Sequence, residues 1–178
     1  MLEVRSASGL ALPSPGKLVG HAAVFDTPAD LGEFVEVVKP GAFTRSLEQP
    51  GAIMALYDHE RRSVLGRVSA GTLRLWQDTK GLGFELALPD TSVGRDLAVL
   101  VERGDVSGCS FGFIMPEGGA VWTTRGAKPM RELRTVDLRE ITITPTPAYA
   151  DTSVAKRSMP GPRDSSPLAL QLAWFETL

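Results

Sequence analysis

Between Lys17 and Leu88 the chain has no room for anything longer than short extended segments. Turn-forming residues recur at Pro40-Gly41, Gln49-Pro50-Gly51, Gly71 and Lys80-Gly81, and they separate runs rich in apolar and β-branched residues. Those runs are Lys17–Phe25, Phe34–Val38, Ile53–Tyr57, Val64–Val68, Thr72–Gln77 and Gly83–Leu88. Strands this short, with turns this frequent, predict a sandwich or barrel. Ala42–Leu47 adds one helical turn.

A longer helix is predicted over Ser92–Arg103. Val93, Leu97, Leu100 and Val101 line one face, Asp90 or Thr91 can cap the start, and Gly104 ends it. Further strands are expected at Val106–Ile114, near Met130–Val136, and at Leu138–Thr144, where Pro145 and Pro147 close the pattern. The fold class is therefore mainly β with flanking helices (α+β). Residues 1–16 read as a flexible N-terminal arm, 17–157 as the folded domain, and 158–178 as a linker with a short apolar tail.

Bulk properties narrow the function. The net charge of −2 gives no electrostatic footprint for nucleic acid, and no apolar run of about 18 residues offers a membrane span. The N-terminus lacks the apolar stretch of a secretory signal. A single cysteine excludes an internal disulfide. With His21 and His59 as the only histidines, a four-ligand zinc site is not expected, and neither is any other metal or cofactor.

The chemistry-bearing stretch is Gly108-Cys109-Ser110-Phe111-Gly112, which fits G-x-S-x-G. It is not the nucleophile elbow of an α/β-hydrolase, because the helix precedes the serine and both histidines lie upstream of it. Strand alternation puts Cys109, Phe111 and Phe113 on a core face. Ser110 then stands on an open face between two glycines, where a peptide could approach closely. A structural serine on a glycine-rich edge strand fits the same pattern. Cys109, buried beside phenylalanines, would be inert.

A serine nucleophile needs a base, and histidine suits that role near neutral pH. His21 sits in strand alternation, as a packed or surface residue. His59 lies where a strand ends, between Asp58 and Glu60, as a base or as a solvated loop histidine. Glu140 is the chosen orienting acid, because Ile141 and Ile143 take one strand face and Glu140 takes the other with Thr142 and Thr144. Asp137 and Asp58 are its rivals. Backbone N–H groups near the serine, Phe111 among them, and the Arg139 side chain are candidates to meet an oxyanion.

Five stretches in order resemble the HK97-type prohead maturation proteases of tailed phages. They are GHAAVFD (20–26), VVKPGAF (37–43), LYDHERRSVLGRV (56–68), SGCSFGF (107–113) and LREITITPTPAYADT (138–152). The resemblance covers roughly residues 17–153 and implies a β-barrel flanked by helices, as in herpesvirus assemblin. It implies a serine endopeptidase with His59 and Ser110 in its site. In assemblins the third member is a histidine on a later strand. No histidine follows Ser110 here, and Glu140 occupies a comparable strand. The implied partners are the major capsid protein with its scaffold or delta segment, the chain itself as a substrate, and a second copy as a homodimer. The implied location is the bacterial host cytoplasm, inside the prohead during assembly. A non-catalytic capsid assembly factor on the same fold is the alternative.

Overall fold

The computed structural model describes residues 1–8, 10–125 and 128–145. The tail read at 158–178, and the last part of the domain read at 17–157, lie outside the described residues. The strands are β1 (Leu2–Ser8), β2 (Ala11–Ser14), β3 (Lys17–Val24), β4 (Ala29–Asp30), β5 (Val35–Val38), β6 (Met54–Tyr57), β7 (Glu60–Arg67), β8 (Leu73–Gln77), β9 (Gly81–Ala87), β10 (Gly108–Ile114), β11 (Ala120–Arg125), β12 (Lys128–Leu133) and β13 (Asp137–Thr144). The α-helices are α1 (Thr44–Glu48) and α2 (Ser92–Arg103).

The fold is mainly β, with few helices. The strands form a five-stranded sheet in the order β1-β10-β13-β6-β7, and two four-stranded sheets, β11-β12-β5-β4 and β2-β3-β9-β8. Among the described residues no sheet closes on itself, and the expected closed or partly closed antiparallel barrel is not seen as a closed hydrogen-bonded sheet. The first and third sheets instead share one apolar core. Cys109, Phe111, Phe113, Ile141 and Ile143 of the first meet Leu18, Leu82, Phe84 and Leu86 of the third. Phe111 stacks on Phe113 with ring centroids 5.4 Å apart, and Phe43 meets Phe111 edge-on at 5.4 Å.

Helix α2 has the predicted bounds because its signals are local. Thr91 Oγ1 accepts the Gly94 N–H at 3.3 Å, and Gly104 adopts φ 82° at the C-terminus. Leu97 is buried in the core, and Val93, Leu100 and Val101 pack against it.

The N-terminal arm is a correction. Residues 2–8 form β1, which pairs antiparallel with the whole of β10. Its inward side chains are Glu3 and Arg5 rather than apolar groups. Both are buried, together with Glu36 of β5 and Arg131 of β12. Arg5 grips Glu36 with two nitrogens and Glu3 at 3.0 Å. Arg131 binds both oxygens of Glu3, at 2.6 and 2.9 Å, and Glu36 at 3.1 Å. Two cations and two carboxylates thus neutralise one another and fasten the first sheet to the second. Removing one partner leaves a buried charge uncompensated. Glu36→Ala is therefore expected to lower the free energy of unfolding by about 3–5 kcal/mol, read by denaturant titration. A loss within the range of a surface substitution would contradict the account.

His21, on β3, hydrogen-bonds Asp78 at 2.9 Å. Asp78 also accepts the N–H groups of Lys80 and Gly81 at 2.8 and 2.9 Å, closing the turn between β8 and β9. The His21 bond first, and then the Gly81 amide, hold the Asp78 carboxyl well below the usual carboxylate range. Folding thus favours the ionised form. Its contribution is complete above the unfolded-chain value, about 4, and is lost as pH falls through the lower folded value. The stability advantage of the wild type over Asp78→Asn is expected to shrink below about pH 4 in unfolding titrations. A difference that does not change with pH would contradict this.

Candidate active site

The geometry of the site begins with an irregularity in β13. Opposite β10, Phe113 pairs with Leu138 and Gly112 pairs with Glu140, so Arg139 is an extra residue in the ladder. A β-bulge of this kind resets which face each side chain takes. Leu138 joins the core with Phe113, although two positions later Glu140 faces the other way. Past the bulge, Ile141 and Ile143 point into the core, and Glu140, Thr142 and Thr144 share the opposite face.

The histidine arrives from the neighbouring hairpin. Tyr57 of β6 pairs with Glu60 of β7, leaving Asp58-His59 as a two-residue loop. Both loop residues have positive φ, 49° and 58°. That is the signature of a type I′ turn, which usually recruits Asn-Gly or Asp-Gly. A side chain in this region costs roughly 1–2 kcal/mol, so contacts elsewhere must hold it there. The strand β13 supplies them. Asp58 N–H donates to Ile143 O at 2.9 Å, Thr144 Oγ1 donates to Asp58 Oδ1 at 2.7 Å, and His59 N–H donates to Thr142 Oγ1 at 2.9 Å.

The imidazole then meets Glu140. His59 Nδ1 lies 2.7 Å from Glu140 Oε1, and the carboxylate is almost wholly buried. An ionised carboxylate only accepts, so Nδ1 carries a proton, and in the neutral imidazole the lone pair is then on Nε2. Nε2 is buried and makes no hydrogen bond among the described residues. A buried polar nitrogen without a partner is costly, and such groups concentrate where chemistry is done.

Ser110 is the direct cross-strand partner of Thr142, the residue that holds the His59 amide. By register, Ser110 therefore shares its face of β10 with Gly112, opposite Thr142 and Glu140 of β13, which hold the turn that carries His59. The expected open face is a correction, because Ser110 is fully buried. The vacancy over Gly112 is filled by Glu140, whose Cγ would lie 2.8 Å from a Cβ at that position. The glycine makes room for the acid rather than for a peptide.

The remaining candidates separate cleanly. Asp137 is engaged by Arg45, and Asp58 by Thr144, so neither carboxylate is the one bound to the imidazole. His21 is committed to Asp78. Cys109 is buried in the core, and burial pushes its thiol far above the usual range. Phe111 lies on a strand paired along both edges, so its N–H points into the ladder and its ring into the core. Arg139 is exposed at the bulge. The sequence reading missed the two threonine contacts. Their signal was the Ile-Thr-Ile-Thr alternation, which puts hydroxyls on the face of Glu140.

The caudovirus prohead serine protease family model matches residues 2–162. This chain belongs to that family. Among solved structures, the bacteriophage T4 capsid assembly protease gp21 is similar in fold. Its TM-score is 0.53 at 8% identity, over 80% of this chain and 96% of that one. No curated protein matches the chain. For this prohead protease, the Gly112 contact yields a direct test. Gly112→Ala is expected to push the Glu140 carboxylate off the imidazole and to reduce activity on the order of 10²-fold, with the protein still folded. Full activity in a folded Gly112→Ala protein would contradict the packing argument.

Proposed function

We propose that this chain is a serine endopeptidase in which Ser110 is the nucleophile, His59 the general base and Glu140 the group that orients it. The observation that supports the reading is the state of the imidazole. One nitrogen is held by a buried carboxylate, the other has no partner among the described residues, and the serine lies across from the threonine that anchors the same residue.

In the proposed reaction Ser110 Oγ bonds to the scissile carbonyl carbon and gives its proton to His59 Nε2. Glu140 stabilises the imidazolium through Nδ1. Collapse of the tetrahedral species breaks the C–N bond, and His59 returns the proton to the leaving amine. Water, deprotonated by the same nitrogen, then hydrolyses the ester and frees the serine. Of the two oxyanion candidates, Arg139 is exposed and neighbours Glu140 in the chain, and it is the one proposed for that role. The His59 side chain is the accessible member of the trio, at 30% exposure against 5% for Glu140. Peptide is proposed to approach from that side.

The substrates proposed are the scaffold or delta segment of the major capsid protein and the chain itself, with cleavage inside the prohead in the bacterial host. A homodimer is the proposed assembly. The test is co-expression with the capsid protein, read as the size of that protein. Wild type is expected to shorten it, whereas Ser110→Ala and His59→Ala leave it full-length. Shortening by Ser110→Ala, or none by wild type, would overturn the reading, and the second result would favour a non-catalytic assembly factor.

A further inference from the structure

The hydroxyl of Thr142 has no role in the reaction as written, yet it occupies the centre of the site. It is fully buried. Its Oγ1 accepts the His59 N–H at 2.9 Å and lies 3.1 Å from the Leu56 carbonyl, to which it donates. One hydroxyl thus ties the end of the β6–β7 hairpin to β13 at two points, Leu56 before the Asp58-His59 loop and His59 within it. Thr142 is also the cross-strand partner of Ser110. Directly opposite residues in an antiparallel pair hold their Cβ atoms about 4.5–5.5 Å apart, so this contact relates the histidine backbone to the serine itself.

The need for such a tie comes from the turn. His59 has φ 58°, a conformation uncommon and costly for a residue with a Cβ. Glu140 holds the imidazole at Nδ1, beside its attachment to the side chain, and that one contact leaves Nε2 at the far end of the ring free to swing. Fixing the His59 amide as well determines where Nε2 points. The next residue on the same face, Thr144, holds the Asp58 carboxylate and so supports the preceding position of the loop.

We infer that Thr142 is a positioning residue for catalysis, whose buried hydroxyl sets the direction of His59 Nε2 toward Ser110. The inference rests on the proposed roles of Ser110 and His59. Valine at 142 keeps the shape of the side chain and removes both hydrogen bonds, and serine keeps both bonds and removes a methyl group.

The probe is a fluorophosphonate, which is attacked by an activated serine with loss of fluoride. Its maximal inactivation rate is measured separately from its apparent binding constant, with thermal melting as a check of fold. Thr142→Val is expected to slow inactivation on the order of 10²-fold with little change in binding, and Thr142→Ser to recover most of the rate. In the unsubstituted protein, the His59 amide is expected to resist hydrogen exchange despite its place in a turn, a measurement that holds even where a variant fails to fold. Wild-type inactivation rates in folded Thr142→Val, or fast exchange of the His59 amide, would overturn the inference. If Ser110→Ala is inert while Thr142→Val reacts normally, only the role of Thr142 falls. If Ser110→Ala is labelled as fast as wild type, the nucleophile assignment itself falls.

Discussion

A single extra residue in β13 decides which side chains the strand turns toward the candidate site. Without the bulge at Arg139, Glu140 would share the core face with Leu138, and a carboxylate would be driven into a cluster of phenylalanines and isoleucines. With it, the same strand presents Leu138, Ile141 and Ile143 to the core and Glu140, Thr142 and Thr144 to the site. The apolar face anchors the strand by burial. The polar face then offers a rigid row of acceptors and donors to whatever lies on it.

What lies on it is a strained turn. The hairpin between β6 and β7 could have closed with a glycine, at less conformational cost. It closes instead with Asp58 and His59 in the left-handed region, and four residues of β13 hold it there through hydrogen bonds. This explains why the site sits beside β13 rather than at a loop cluster. The hairpin delivers the imidazole, and the central strand fixes its pose. On the far side of β10, the edge strand β1 is fastened by the buried Glu3, Arg5, Glu36 and Arg131 network, which stiffens the strand that carries Ser110.

Much of this was legible in the sequence wherever the signal was local. The stripe and caps of α2 gave its bounds, and the apolar runs gave most strands to within a few residues. Strand β1 was not legible, because its buried residues are Glu3 and Arg5, whose charges are matched by residues far along the chain. Strand β11, where no strand was expected, was missed for a related reason. It lies in a sheet whose buried residues include Glu36 and Arg131, and its own apolar pattern is thin. The open face expected around Ser110 was wrong for a reason that alternation cannot reveal. Alternation shows which side Gly112 faces, but not that Glu140 fills the space above it from the next strand. The bulge did leave a trace: Leu138 and Ile141 are both apolar and three apart, which a strict period of two does not allow. His59 and Glu140 could be nominated by residue type, but their contact spans 81 positions and depends on that bulge.

The central claim is that the free nitrogen of His59, aimed by Glu140, serves the hydroxyl of Ser110. The most direct measurement is a crystal structure of the protein after reaction with a fluorophosphonate. The account predicts phosphorus bonded to Ser110 Oγ, with His59 Nε2 within hydrogen-bonding distance of the adduct and Nδ1 still on Glu140. Phosphorus on any other residue, or an imidazole turned away from the adduct, would contradict it.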